Sequence, residues 1–184
     1  LDATPEVSEV PGAVSLPARG ALEVHDVTFK YQMGETNALQ DVSISVCDGE
    51  RLALVGPTGA GKSTLAKLMA RLYDPSSGAV SYAGVDLRRT TMASLRQRIV
   101  VVPQEGFLFN GTIRNNVRIA RITATDIEVE AALASLGVLE HFAQLPDGLE
   151  TQVRERGSRL SAGERQLVAL GRAALVDPAV LVLD

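Results

Sequence analysis

The most constraining segment of this 184-residue chain is Gly56–Thr64, with the sequence GPTGAGKST, directly after the apolar run Leu52–Val55. The pattern GxxxxGK[ST], between a strand and a helix, predicts a loop whose backbone N–H groups surround phosphate oxygens. Its glycines lack the Cβ that would block that approach or the φ values it needs. We therefore expect a helix from Lys62 whose N-terminus faces an anion. A glycine-rich turn without a ligand is the alternative.

Composition limits the classes of function. The net charge of −4 and the pI near 5.3 argue against a protein that holds nucleic acid on a broad basic surface. The single cysteine, Cys47, excludes a disulfide framework and fits a reducing compartment. No apolar stretch approaches the roughly 18 residues that a membrane-spanning helix needs, and the first residues do not resemble a signal peptide. We expect no nucleic-acid partner.

The spacing of apolar residues predicts an α/β organisation. Residues 1–20 carry three prolines among small and acidic residues, which indicates a linker from an upstream domain and not part of the core. Strands are predicted at 22–31, 42–46, 51–55, 79–82, 99–102 and 179–183. The predicted strand at 51–55 is apolar from Leu52 to Val55, as in a strand buried inside a parallel sheet.

Helical periodicity dominates the second half of the chain. Helices are predicted at 62–72, 92–98, 126–136 and 160–176, and Gly137 is a natural C-cap for the third of them. The region from about 105 to 177 is therefore expected to be a helical subdomain inserted into a domain that covers 21–184.

Three further segments carry polar groups that suit a phosphate ligand. Val180–Asp184 is an apolar strand that ends in a carboxylate, which beside a phosphate loop can hold Mg²⁺ through water. Leu160–Gln166 contains the pattern Ser161-x-x-Glu164 of a capping box, and such a helix start also offers backbone donors to a second anion. Gln104 follows a predicted buried strand, where an ordinary surface glutamine is the alternative.

From about Ala21 to its end, the chain resembles the nucleotide-binding domain of ATP-binding cassette (ABC) transporters. Gly56–Thr64 resembles the family's Walker A motif, and Gln104 resembles its Q-loop. Leu160–Gln166 is similar to the signature motif, and Val180–Asp184 is similar to Walker B. The order and spacing of these motifs are those of the family.

Phe29-Lys30-Tyr31 resembles the A-loop of the family, whose tyrosine stacks on adenine. Three more segments extend the resemblance to the exporter branch. Ser94–Gln104 and Leu108–Asn116 resemble exporter sequences, and Thr151–Gly157 resembles the exporter X-loop. In the family these segments contact the coupling helices of the membrane domain, and residues 1–20 are similar to the connector from the last membrane helix.

The resemblance implies a P-loop NTPase with a RecA-like core, an antiparallel β subdomain and an inserted α-helical subdomain, with the C-terminal part missing after Asp184. It implies ATP and Mg²⁺, with catalytic roles for Lys62, Gln104 and Asp184, and metal contacts from Ser63, Gln104 and Asp184. The implied nucleotide-binding residues are Tyr31, Gly56, Pro57, Thr58, Gly59, Ala60, Gly61, Lys62, Ser63, Thr64, Ser161, Ala162 and Gly163.

The resemblance also implies partners and a location. We expect a head-to-tail dimer with a second nucleotide-binding domain, in which Ser161, Ala162 and Gly163 contact the γ-phosphate bound to the partner. The transmembrane domain of an exporter would be the other partner, at the cytoplasmic face of the cell membrane, and hydrolysis would power the export of an unidentified substrate. The signature departs from the family by having Ala162 for glycine and Glu164 for glutamine.

The family places its catalytic glutamate and switch histidine after the Walker B aspartate, so we expect the chain as given to hydrolyse ATP negligibly. A catalytically degenerate, regulatory domain of a heterodimeric transporter is the alternative, and the residue that follows Asp184 decides between them. A DNA-repair cassette ATPase is disfavoured because no long heptad run separates the loop from the signature. A GTPase is disfavoured because no lysine lies in an Asn/Thr-Lys-x-Asp arrangement.

Overall fold

The structure is a computed structural model that describes residues 7–32, 36–104, 106–153 and 160–184. The chain forms two compact units, Leu1–Val101 and Val102–Asp184. No helix of the described residues is both long enough and apolar enough to cross a membrane.

The first unit contains a four-stranded antiparallel sheet in the order β2-β1-β3-β4. Its strands are β1 (Leu22–Phe29), β2 (Leu39–Val46), β3 (Ser77–Tyr82) and β4 (Val85–Asp86). The interior strand β1 alternates in burial on each side of an irregularity at His25 and Asp26, because side chains along a strand point to opposite faces of the sheet. This sheet is the antiparallel β subdomain that the resemblance predicted.

Two α-helices and the 3₁₀ helix Leu87–Arg89 complete the described part of the first unit. Helix α1 (Lys62–Met69) begins at the phosphate loop and buries Leu65, Leu68 and Met69 on one side. Helix α2 (Met92–Arg98) starts with Thr91, whose hydroxyl accepts a hydrogen bond from the Ser94 N–H. Strand β5 (Ile99–Val102) follows it at the boundary between the units.

The second unit is mainly helical. Its elements are α3 (Ile113–Arg118), α4 (Asp126–Ser135), α5 (Leu139–Ala143), α6 (Ala162–Val176) and strand β6 (Val180–Leu183). Fully buried residues such as Val129, Leu133, Phe142 and Val168 belong to one apolar cluster. Gly171 of α6 allows close packing, because a Cβ there would lie 2.8 Å from Leu133 Cδ2.

The predicted buried strand at 51–55 is wrong for this structure. The segment has no strand assignment, Leu52 and Leu54 are exposed, and the Val55 side chain is 93% accessible to solvent. No strand of the described residues pairs with it. A fully apolar run is a stable strand only when neighbouring strands cover it and bond its backbone, and this run lacks both.

Helix α1 is shorter than the predicted 62–72. It ends at Met69, and Arg71 takes a left-handed conformation with φ of 49°. The N–H groups of Arg71 and Leu72 donate to the carbonyl oxygens of Leu68 and Lys67, each at 2.9 Å. These two bonds form a Schellman motif. Glycine usually occupies the left-handed position that follows a helix C-cap. Because this position is an arginine, the sequence did not predict the end of the helix.

The described part of the predicted linker, from residue 7 to residue 20, belongs to the first unit and packs against the rest of it. Leu16 is only 5% accessible, and its N–H donates to Ser94 Oγ at 2.8 Å. The buried Arg71 guanidinium donates to the Ser8 carbonyl oxygen at 2.9 Å. The expectation that this stretch lies outside the core is therefore wrong at Leu16, because an apolar side chain and fixed backbone bonds anchor it. Its connection to an upstream domain stays a prediction.

Candidate functional site

The predicted phosphate loop has the backbone geometry of an anion-binding turn. Gly59 and Gly61 have φ of 84° and 86°, in the left-handed region that favours glycine. The Ala60 N–H donates to the Pro57 carbonyl oxygen at 3.2 Å and closes the turn before Lys62 starts helix α1. Every residue from 51 to 60 is exposed, so the loop is open to a ligand.

Gly61 is required for a second reason, which is steric. A Cβ at this position would lie 2.6 Å from the Ala38 carbonyl oxygen and 2.6 Å from Leu39 Cδ2. Gly61 is also the N-cap of α1 and offers no side-chain cap. The helix N-terminus therefore relies on groups other than an N-cap side chain to satisfy its amide donors, as an anion can.

The Lys62 side chain lies beside the loop. Its Nζ donates to the Gly56 and Pro57 carbonyl oxygens at 2.9 Å and 2.8 Å. Phosphate oxygens are better acceptors for an ammonium group than neutral carbonyl oxygens, since charge-assisted hydrogen bonds are stronger. Backbone N–H groups, a helix N-terminus and this ammonium group are the groups that a polyphosphate-binding site needs.

The predicted base-binding residue, Tyr31, belongs to a cluster of three aromatic side chains. The Tyr31 ring meets the Phe29 ring edge-on at 4.9 Å and the Tyr73 ring edge-on at 5.5 Å, between centroids. They line an open cleft of about 440 Å³ that Lys30, Gln32, Asp74 and Ser76 complete. Cavities of this size and apolar character accommodate small planar ligands such as a nucleobase.

A hydrogen bond joins this cleft to the phosphate loop. The Tyr31 hydroxyl lies 3.1 Å from Thr64 Oγ1, and Thr64 is only 8% accessible. Lys67 Nζ lies 5.9 Å from the Tyr31 ring centroid. The first unit thus brings Tyr31 close to the end of the loop. A nucleotide-binding site requires such proximity, because the base and the phosphates belong to one ligand.

The predicted signature residues begin helix α6 in the second unit. The Ser161 N–H donates to Glu164 Oε2 at 2.7 Å, and the Glu164 N–H donates to Ser161 Oγ at 3.2 Å. The predicted capping box is confirmed. Ser161, Ala162 and Gly163 are all exposed, and a Cβ on Gly163 would contact nothing closer than 4.0 Å. This helix start is accessible to a ligand.

Glu164 is held as a carboxylate. The backbone N–H of Ser161 lowers the pKa of Glu164, and the Ser161 hydroxyl and His141 lower it further. His141 Nε2 lies 3.3 Å from Glu164 Oε1, so α5 contacts the signature helix through this pair. A negative charge in the first turn at neutral pH suits the positive end of the helix dipole.

Gln104 and Asp184 lie in the second unit. Gln104 is exposed just after β5, and Asp184 is exposed at the end of β6. The Asp184 N–H donates to the Val102 carbonyl oxygen at 3.1 Å, so the aspartate follows a strand as predicted. The X-loop prediction falls partly outside the described residues, at 154–157; within the described part, the Val153 N–H donates to the Gly111 carbonyl oxygen.

Sequence reasoning did not identify Tyr73, Asn116 or Arg172. Asn116 is 1% accessible and bonds both backbone groups of Phe109, while Arg172 donates to Asn116 Oδ1 and to the Phe107 carbonyl oxygen. These bonds fix the segment after the Q-loop.

Tyr73 could have been singled out from the sequence, because the chain contains only three tyrosines. The burial of Asn116 could not be predicted in this way, because no local sequence pattern distinguishes a buried asparagine from an exposed one.

A protein-family model described as ABC transporter matches residues 39–184. The chain belongs to the ABC transporter family. ATP-binding cassette sub-family B member 6 of Mus musculus is 49% identical over 180 residues, which cover 97% of this chain and 21% of that protein. The Beta-(1-->2)glucan export ATP-binding/permease protein NdvA of Bradyrhizobium diazoefficiens is 44% identical over 185 residues, covering 100% of this chain and 30% of that protein.

A solved structure agrees with these relatives. The structure of a bacterial Atm1-family ABC exporter with ATP bound superposes with a TM-score of 0.93 at 40% identity, over 100% of this chain and 32% of that one. The prediction of an exporter-type ABC nucleotide-binding domain with a P-loop NTPase fold is confirmed. This ABC domain spans between 21% and 32% of the length of the proteins named above.

Proposed function

We propose that this ABC domain binds and hydrolyses ATP with Mg²⁺ as the motor of an exporter. The observation that carries the proposal is the phosphate loop, where Gly61 has no room for a Cβ and Lys62 Nζ lies on the loop carbonyl oxygens. The membership of the ABC transporter family and the likeness to an ATP-bound exporter support it.

The residues proposed to bind the nucleotide and the metal have separate roles. The backbone N–H groups of residues 56–64 bind the phosphates, and Lys62 moves from the loop carbonyl oxygens to phosphate oxygens. Tyr31 contacts the base. The Ser63 hydroxyl, the Gln104 amide and the Asp184 carboxylate supply hard oxygen donors, which are the ligands that Mg²⁺ prefers. When bound, Mg²⁺ neutralises negative charge on the phosphates.

The signature residues act toward a second nucleotide. The exposed start of α6 carries a Ser161 hydroxyl that already accepts the Glu164 N–H and keeps its own proton to donate. We propose that Ser161, Ala162 and Gly163 bind the γ-phosphate held by a second nucleotide-binding domain in a head-to-tail dimer. Phosphoryl transfer depends mainly on positioning and charge stabilisation, so this contact would complete the site.

The proposed setting is the cytoplasmic face of a membrane. A transmembrane domain would connect to the chain through residues 1–20 and would select the substrate. The relatives named above support this arrangement, since one is an export permease protein and another is an exporter by name.

The test uses the full-length protein that contains this chain, reconstituted in liposomes. We expect phosphate release that requires Mg²⁺ and is lost in the Lys62→Ala variant, because the loop then lacks its cation. The same preparation would be titrated with a fluorescent ATP analogue. Binding without phosphate release would favour the regulatory alternative, and absence of binding in a folded protein would contradict the proposal.

A further inference from the structure

We propose that the Tyr31 hydroxyl is a positioning group for the phosphate loop, which it orients through Thr64. This inference rests on the proposed function, because it assumes that the loop binds a nucleotide. Its basis is the 3.1 Å contact between Tyr31 Oη and Thr64 Oγ1, which links two parts of the chain 33 residues apart. Tyr31 would then do more than stack on a base.

The position of Thr64 makes this contact relevant to phosphate binding. Thr64 is the third residue of α1, whose first turn carries Lys62 and Ser63. Its side chain is buried, so few partners can reach its hydroxyl. A hydroxyl rotates freely unless a neighbour fixes it. The Tyr31 hydroxyl is the side-chain partner that the structure gives it.

The Tyr31 ring is held in place independently of any ligand. Edge-on contacts with Phe29 and Tyr73 come from two sides, with interplanar angles of 83° and 86°. Such contacts restrict the ring, and two rotatable bonds then leave the hydroxyl little freedom. The hydroxyl is therefore presented to Thr64 before a nucleotide arrives, which reduces the ordering cost of binding.

The chemistry of the ligand decides which hydroxyl donates. Either oxygen can be the donor in the structure. Phosphate oxygens at neutral pH accept hydrogen bonds and do not donate them. Thr64 can serve a phosphate only if its own proton points to the ligand, so Tyr31 must donate to Thr64 Oγ1. A hydroxyl that accepts one bond also becomes a stronger donor for the next.

Removing the Tyr31 hydroxyl should therefore weaken the binding of phosphates even without a base. Tyr31→Phe keeps the ring and its edge contacts but removes the donor. We expect this variant to bind both Mg-ATP and inorganic triphosphate with Mg²⁺ about three- to tenfold more weakly, the usual effect of one hydrogen bond. Stacking alone predicts no effect on inorganic triphosphate, because that ligand has no ring.

The experiment is a double-mutant cycle by isothermal titration calorimetry, with Tyr31→Phe, Thr64→Val and the double variant of the 184-residue chain. Tyr82→Phe is the control: it removes another tyrosine hydroxyl of the first unit, which donates to the Ala18 carbonyl oxygen at 3.5 Å, and Tyr82 does not line the aromatic cleft. Thr64→Ser keeps the hydroxyl, so Tyr31→Phe should still weaken binding in that background. Thr64→Ala replaces Thr64→Val if the latter does not fold by circular dichroism.

The expected result is weaker triphosphate binding by Tyr31→Phe but not by Tyr82→Phe, and no further loss when Tyr31→Phe is added to Thr64→Val. Equal affinities of Tyr31→Phe and Tyr82→Phe for triphosphate would overturn the inference while leaving the proposed function intact. Additive effects of the Tyr31 and Thr64 variants would also overturn it. If the folded wild-type chain bound neither ligand, the proposed function itself would fail.

Discussion

Replacing Glu164 by alanine removes one half of the capping box that starts the signature helix. The lost contact is the 2.7 Å hydrogen bond from the Ser161 N–H to Glu164 Oε2. We expect the stability of the N-terminus of helix α6 to fall by about 1 kcal/mol, the typical contribution of a helix cap. The first turn of α6 would then open more often, and the backbone N–H groups of Ala162 and Gly163 would be less well ordered for binding a phosphate.

The chain contains a matched control for this change. Helix α4 begins with the same box, in which the Thr125 N–H donates to Glu128 Oε2 at 2.8 Å. Glu128→Ala removes the equivalent bond from a helix that carries no signature residue. Both variants should increase local opening at their own helix, but only Glu164→Ala should lower ATP hydrolysis by the full-length protein.

The pH dependence of this cap has a definite sign. Ser161 lowers the pKa of Glu164, so the charged cap stabilises the folded state fully above the ordinary glutamate pKa of about 4.3. The contribution is lost as the pH falls below that value and through the lower pKa of the folded state. The difference between the wild type and Glu164→Ala should therefore disappear at low pH.

Hydrogen exchange read by mass spectrometry measures the opening, and phosphate release by the reconstituted full-length protein measures turnover. Faster exchange at 162–166 with reduced turnover in Glu164→Ala, and normal turnover in Glu128→Ala, is the expected pattern. Equal loss of turnover in both variants would refute the reasoning, because the effect would then be general destabilisation.

Two further predictions concern the loop and the second unit. Gly61→Ala should abolish ATP binding in a titration, because its Cβ would lie 2.6 Å from the Ala38 carbonyl oxygen. Gly49→Ala is the control and should retain binding, since Gly49 has a similar φ of 77° but open space around the position of a Cβ. Equal binding by both variants would contradict the steric argument. Asn116→Ala should lower the free energy of unfolding by about 2–4 kcal/mol in urea, because it leaves buried partners unpaired. The exposed Asn115→Ala is its control, and a similar loss in both would argue against that role.

Local sequence signals predicted several elements well. Helix 92–98 and strand 99–102 match the structure residue for residue, because a threonine cap and an unbroken apolar run mark them. The helix at 126–136 ends at Ser135, and Gly137 has the left-handed φ of 70° that its C-cap position requires. The phosphate loop was readable because its glycines and lysine are fixed by the geometry of the ligand.

Features that depend on distant residues could not be read in this way. The segment 51–55 has a strand's composition, but composition cannot supply the neighbouring strands that would bury it. Leu16 lies in a proline-bearing stretch, yet it is buried because Ser94 fixes its backbone from far along the chain. The contact between Tyr31 and Thr64 likewise needs the fold, since 33 residues separate them.

The most direct measurement is calorimetric titration of Mg-ATP into the 184-residue chain and its Lys62→Ala variant, after circular dichroism has shown equal folding. Lys62 donates to Gly56 and Pro57 at the loop, and each charge-assisted bond transferred to phosphate contributes about 1.5–3 kcal/mol. We predict that the wild type binds and that Lys62→Ala binds at least about tenfold more weakly. Equal affinities of the two folded proteins would contradict a phosphate site at this loop.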